Sequence, residues 1–404
     1  MDTIPPASID CIESYCCRST DTPLSSDSFM QAFRKPSQRS LSGRGRVATL
    51  GMFIIDHFEV HDEGGNPVPA DEEAIGGGGI FAMIAARQFL PPSHCSLLVD
   101  KGEDFSDKSV HDLESLGKEM VWFRHREGKT TRALNIYSGR QIGEGHQSFK
   151  YLSPQLQITP KDLIMPPSPF AIPVPPEWIH AVCGVPRMLD IVDELESLKK
   201  QRHSSTGLSL IKSRLVWEPL PFSCTPEELN NMISLSSRIA VFSPNLLELQ
   251  SILSIPHSSP PTLSHVEFAA WQFQTLLLSR TSDSQITAII VRAGELGAYT
   301  LSSNWTGWIP AFWTKADQGK IVDVTGGGNS FLGGLVAGLL ISDGDMRTAS
   351  IYASTAASFA IQQRGPPRLQ RSNGEELWNG EVVWDRLNEM ARRVSQQEGV
   401  DRRS

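Results

Sequence analysis

Residues 322–334 read VDVTGGGNSFLGG, in which Gly326, Gly327 and Gly328 separate a strand-like apolar run from a helix-like one. Glycines placed so leave backbone N–H groups free to face one point. The helix behind them adds its unpaired first amides and the positive end of its dipole. Such a turn offers anion binding, phosphate above all. Asn329 comes next. Its amide can cap the helix or orient a hydroxyl nucleophile, but it cannot accept a proton at neutral pH as a carboxylate can. A bare glycine triplet also serves close packing alone, and Gly333, Gly334 and Gly338 on the same segment point to packing.

Three other stretches carry residues of a fitting type. SPNLLEL sets Asn245 and Glu248 three apart on one face of a first helical turn. A helix cap with its first-turn acid accounts for this pair as well as ligand binding does. RAGELG, with Arg292, Gly294 and Gly297, is a second glycine turn after a strand. AIGGGGIFAMIAARQFL runs Gly76 to Gly79 straight into a helix, and Asp56 ends an earlier apolar run beside His57.

Hydrophobic periodicity supplies the elements that must position these residues. RVATLGMFIIDHFEV (46–60), HCSLLVD, IHAVCG, IAVFS and ITAIIVR read as strands, and helical patterns alternate with them. Residues 119–137 read as two strands around an Arg/Gly/Lys turn, and the proline-dense 166–178 as a connecting loop. The alternation implies an α/β fold, a doubly wound, mostly parallel sheet with helices on both faces. Ligands of such a fold bind at the carboxyl ends of the strands. Residues 1–45, rich in Ser, Asp and Pro, are expected to form a disordered leader ending in a basic patch at Arg39, Arg44 and Arg46. From 366 to 404 the chain reads as a polar tail with one amphipathic patch, EVVWDRLNEMARRV.

Composition narrows the function classes. A net charge of −8 argues against a nucleic-acid surface, which needs a basic footprint. No 18-residue apolar run predicts a membrane span, and the first residues lack the apolar core of a secretory signal. Cys11, Cys16, Cys17, Cys95, Cys183 and Cys224 are scattered, which suits reduced thiols in a cytoplasmic or nuclear compartment. A dinucleotide-binding dehydrogenase is a poor match, because the first glycine run lacks the G-x-G-x-x-G spacing.

In this order the stretches resemble the PfkB/ribokinase family of small-molecule kinases, over about residues 46–365. The main match is VDVTGGGNSFLGGLVAGL against the family's D-T-x-G-A-G-D-x-F signature. The resemblance implies a ribokinase-like fold with a small β lid at about 57–75 and 119–140. It implies that Gly326, Gly327 and Gly328 form the anion hole, with Asn329 in the place of the catalytic base. Asn245 and Glu248 would organise Mg²⁺ and the nucleotide phosphates, while Arg292 (for the usual threonine), Gly294, Gly297, Asp323 and Thr325 would lie with the nucleotide. Asp56, Gly76, Gly77 and Phe81 would face the acceptor. ATP, Mg²⁺ and a monovalent cation are the implied cofactors, a small molecule the implied substrate, and the lid strands the implied place of a homodimer contact.

On the acceptor side, two positions depart from the family pattern. Phe81, with Ile80 beside it, stands where the family carries a sugar-binding asparagine, so the acceptor pocket should be more apolar. Asn329 stands where the family carries an aspartate. The G-G-G-N form, VWEP…SCTPEEL and SFAIQQRGPP are similar to a fungal subgroup that includes the yeast protein needed to maintain the killer double-stranded RNA virus. Two readings follow. One is an ATP-dependent phosphotransferase acting on a hydroxyl of a small, partly apolar metabolite. The other is a pseudokinase acting as a nucleotide-binding or scaffold protein.

Overall fold

The computed structural model describes residues 30, 33–37, 41–61, 67–138, 147–153, 156–171, 174–205, 212–280 and 287–401. In chain order the strands are β1 (Val47–Thr49), β2 (Ile54–His61), β3 (Pro67–Gly76), β4 (Cys95–Lys101), β5 (Val121–His125), β6 (Arg132–Ser138) and β7 (Gln147–Tyr151). They continue as β8 (Trp178–Cys183), β9 (Arg214–Pro219), β10 (Val241–Phe242), β11 (Ala288–Arg292), β12 (Ala298–Leu301), β13 (Thr306–Ile309), β14 (Leu369–Ser372) and β15 (Glu375–Trp378). The first helices are α1 (Gly78–Arg87), α2 (Asp107–Ser115), α3 (Pro160–Ile164), α4 (Val185–Ser205) and α5 (Leu229–Ser236). After them come α6 (Leu246–Ile252), α7 (Leu263–Arg280), α8 (Gly327–Ile341), α9 (Met346–Ala360) and α10 (Val383–Asp401).

Nine strands form one sheet in the order β13-β12-β11-β10-β9-β8-β1-β4-β5. Pairing is parallel from β5 to β11 and antiparallel only at β11–β12 and β12–β13. Successive residues of a strand face opposite sides, so both faces need cover. Val216, Val241, Ala288 and Ile290 join a core with α1, α8, α9 and α10. Their neighbours Leu215, Trp217, Phe242, Ile289 and Val291 join a second core with α4 to α7. Helices therefore lie on both faces, as the alternating pattern implies.

The glycines of α8 are packing residues as well. A Cβ on Gly333 would overlap the backbone of Ala82 in α1, and one on Gly334 or Gly338 would press into α9 at Ala353, Tyr352 and Ala349. Close approach of three helices holds the start of α8 above the strand ends.

A second sheet has the order β3-β2-β6-β7. RVATLGMFIIDHFEV is not one strand: β1 belongs to the large sheet and β2 to the small one. Between them the backbone of Gly51 sits so close to Gly79 that a Cβ would overlap it. The two strands within 119–140 also divide, β5 forming the edge of the large sheet and β6 joining the small one. The loop residues 62–66 and 139–146 lie outside the described residues.

The ends of the chain contribute to the core. Most of 1–45, with Cys11, Cys16, Cys17 and Arg39, lies outside the described residues. Phe33 and Leu41 are buried, and Phe33 packs on Tyr352. Arg44 pairs with Asp343, and Arg46 donates to the carbonyls of Cys95 and Glu119. After 365 the polar segment folds into the β14–β15 hairpin and α10, whose Leu387, Met390, Ala391 and Val394 are buried against the core. Each of the larger of these side chains contributes about 1.5–3 kcal/mol. Cys95, Cys183 and Cys224 are buried free thiols, and burial pushes the first two up to about 12, so they are poor nucleophiles.

Candidate active site

Gly326 is the residue before α8 and adopts the left-handed conformation, φ +74°. Only glycine does this at no steric cost. A second constraint comes from α1, since the ring of Phe81 fills the space a Cβ on Gly326 would need. Phe81 is thus buried beneath the turn. No side chain caps this helix. The Gly327 N–H is used in the turn, donated to Val324 O at 3.0 Å, and the Ser330 N–H is donated to Gly326 O at 2.8 Å. The first-turn amides beyond that turn are those of Gly328 and Asn329, at the positive end of a 15-residue helix.

Beside Gly328 stands a charged cluster. A Cβ on Gly328 would overlap the guanidinium of Arg292 and lie 3.0 Å from Glu218 Oε1. Arg292 Nη1 pairs with Glu218 Oε1 at 2.8 Å, and its Nη2 lies 3.7 Å from Glu248 Oε2. Nη2 also donates to Ser243 O at 3.1 Å. Asn329 Nδ2 donates to Glu218 Oε2 at 2.7 Å, and His180 Nε2 lies 3.3 Å from the same oxygen. Behind it, His180 Nδ1 is 3.0 Å from Thr49 Oγ1, which accepts the Gly51 N–H at 2.9 Å. Thr49 and His180 thus link Glu218 to the backbone of Gly51 in one chain of polar contacts. Burial alone would raise the Glu218 carboxyl. Arg292 first, then His180 and Asn329, outweigh burial and hold it below the ordinary range.

Asn245 and Glu248 realise the cap. The Asn245 side chain accepts the Glu248 N–H at 2.8 Å, and Glu248 Oε2 accepts the Asn245 N–H at 2.7 Å. The cap ties α6 to the end of β11, where Asn245 bridges Arg292. Gly294 and Gly297 are both left-handed, φ +55° and +96°, and Gly297 lies close under Ile309 and Ala311. Asp323 is buried and accepts the Thr325 N–H at 2.9 Å, which shapes the run into Gly326.

From the small sheet, Asp56 approaches the same end of the fold. Gly76 has no room for a Cβ because the Asp56 carboxyl is there. Asp56 Oδ1 is buried without a partner among the described residues. Burial pushes the Asp56 carboxyl up to about 6, while Asn135 and the Gly77 N–H pull the other way. Gly78 joins the two halves, since a Cβ there would lie 3.0 Å from Asn329 Nδ2.

Sequence reasoning did not single out Glu218, His180, Thr49 or Asn135. A polar residue within a buried strand was the available signal, as in the Glu of VWEP and the His of IHAVCG. Among the described residues no three His, Cys, Asp or Glu side chains are placed to hold a metal. No described helix is long and apolar enough to cross a membrane.

Residues 223–370 match the model of the pfkB family of carbohydrate kinases. An uncharacterized protein of Schizosaccharomyces pombe is 31% identical, the match covering 84% of this chain and 91% of that protein. Protein MAK32 of Saccharomyces cerevisiae is 30% identical over 86% of this chain and 92% of its own. Among solved structures, the ribokinase from Giardia lamblia is similar with a TM-score of 0.59 at 16% identity, covering 88% of this chain and 99% of that one. The sheet order, the glycine turn at the head of α8 and these full-length relatives agree, and this chain belongs to the pfkB family of carbohydrate kinases.

Proposed function

We propose that this chain is an ATP-dependent phosphotransferase acting on a hydroxyl of a small, partly apolar metabolite. The contact of Gly78 with Asn329 carries the reading, because it brings the glycine turn of α8 and the Asp56 side of the small sheet to one place. Phosphoryl transfer passes through a loose transition state, so positioning and charge stabilisation supply most of the acceleration. The amides of Gly328 and Asn329 would hold the phosphoryl oxygens, and Arg292 beside them adds fixed positive charge. The nucleotide would lie along Gly294, Gly297, Asp323 and Thr325. Asp56, with its unpartnered Oδ1, would accept a hydrogen bond from an acceptor hydroxyl. Phe81 and Ile80, both buried behind the glycine turn, would give that side of the pocket an apolar backing, and β2, β3, β6 and β7 would cover it against water.

The donor set fits Mg²⁺ that arrives on a nucleotide, since Glu248 is a hard oxygen donor held at the head of α6 by Asn245. Asn245 and Glu248 would organise that ion mostly through water. When bound, Mg²⁺ neutralises phosphate charge. We also assign a homodimer contact to the small sheet, whose outer strands β3 and β7 form its edges. Sedimentation of the full chain tests this, and a monomer at micromolar concentration would contradict it.

Label transfer from γ-labelled ATP with Mg²⁺ to a panel of sugars, polyols and nucleosides tests the main reading. Transfer to none of them, by wild type or Asn329→Asp, would sink it. One observation favours the second reading, a nucleotide-binding scaffold without transfer: the Arg292 guanidinium already fills the wall beside Gly328 and is held by Glu218. ADP binding with no transfer to any acceptor is its signature.

A further inference from the structure

The phosphate-binding turn keeps its glycines but lacks the carboxylate that takes the acceptor proton. Glu218 lies one hydrogen bond from that position, its Oε2 accepting from Asn329 Nδ2 at 2.7 Å. It reaches the place from the large sheet, as the penultimate residue of β9, and its Oε1 lies 3.0 Å from where a Cβ on Gly328 would stand. We infer that Glu218 is the proton acceptor of this site and that Asn329 is the residue that positions it. The inference rests on the phosphotransfer reading above.

Three features suit Glu218 to the role. Its carboxylate is fixed by Arg292 on Oε1 and by Asn329 and His180 on Oε2, so it stays ionised although only 9% of the side chain is exposed. His180 Nε2 lies 3.3 Å from Glu218 Oε2, and Thr49 Oγ1 holds the ring from behind at 3.0 Å from Nδ1, so the carboxylate is held in one position. The charged and titratable groups around Glu218 are Arg292 from β11, His180 from β8, Glu248 from α6 behind Arg292, and Cys224 beyond Glu248. In this group Glu218 alone combines a carboxylate with contact to both Asn329 and the Gly328 wall.

The step balances as follows. A lone pair of the acceptor oxygen forms the new bond to the γ-phosphorus, and the bond from phosphorus to the β–γ bridging oxygen breaks. Its electron pair leaves with ADP. The hydroxyl proton passes to the Glu218 carboxylate, which yields it to solvent once product departs. Arg292, held by Glu218 beside Gly328, would offset the negative charge that gathers there.

The full chain is assayed with ATP, Mg²⁺ and the best acceptor of the sugar, polyol and nucleoside panel, with ADP affinity and thermal melting as controls. Glu218→Gln is expected to lower kcat about 10²–10⁴-fold with ADP affinity unchanged. Asn329→Asp/Glu218→Gln is expected to regain at least about tenfold of that, because the carboxylate introduced at position 329 then takes the proton. Should Glu218→Gln not fold, Glu218→Asp keeps the charge opposite Arg292 and is expected to lose about tenfold or more in kcat with an unchanged melt. Wild-type kcat in Glu218→Gln or Glu218→Asp overturns the inference and leaves the phosphotransfer reading standing. So does a folded, ADP-binding double variant no faster than Glu218→Gln. A wild-type chain that binds ADP and transfers phosphate to no acceptor ends both.

Discussion

Asn329 donates its side-chain amide to Glu218 across 111 residues of sequence, at 2.7 Å. The contact ties the helix that carries the glycine turn to the middle of the large sheet. It also explains why an amide fits at 329 in this chain. A carboxylate there would face another carboxylate in a buried site, and two such groups cannot both ionise cheaply.

Asn329→Asp therefore destabilises the fold in a pH-dependent way. One carboxyl of the new pair is raised above its unfolded value, so the folded state binds the extra proton and loses stability as pH rises above that value. We expect little cost near pH 4 and about 1–3 kcal/mol at pH 7. Thermal melts at the two pH values check this. A variant equally stable at both contradicts the pairing.

Arg292→Thr removes the cation between Glu218 and Glu248. The wild-type Glu218 carboxyl is held below its ordinary range, so its stabilisation is present above the unfolded value and lost as pH falls through the folded one. Without Arg292 burial dominates, the carboxyl rises, and the sign reverses. At pH 7 the variant should lose about 3–5 kcal/mol, with the deficit shrinking toward pH 4. Urea unfolding across that range reads it directly.

Asp56 trades stability for a site. Its carboxyl is pushed from 3.8 up to about 6, chiefly by burial, against Asn135 and the Gly77 N–H. A raised folded value means stability is lost as pH climbs from about 4 to about 6. Asp56→Asn should therefore be more stable than wild type at pH 7 by about 1–3 kcal/mol and equal to it below pH 4. The same change should abolish acceptor turnover while ADP affinity holds.

Gly326→Ala tests the turn itself. The left-handed backbone and the Phe81 ring together should make it cost about 2–5 kcal/mol. ADP affinity should fall with it, because the amides of α8 are displaced. Calorimetric titration of the soluble variant with ADP measures this.

Much of the fold could be read from local pattern, since strand and helix periods alternate and the glycine turn, the Asn245–Glu248 pair and the Asp56 run are each written within a few residues. The cluster around Glu218 could not. Thr49, His180, Glu218 and Arg292 lie in four different strands, and only the order β11-β10-β9-β8-β1 makes them neighbours. The break at Gly51 was hidden inside one apolar run, because a switch between sheets leaves the run unbroken. The segment after 365 looked polar because α10 buries one face and exposes the rest.

The most direct test of the central claim is label transfer from γ-labelled ATP with Mg²⁺ to the hydroxyl panel by the full-length wild-type chain. Phosphotransfer predicts a labelled, base-stable phosphoester with at least one acceptor. An intact chain that binds ADP yet labels nothing, with Asn329→Asp equally silent, would contradict it.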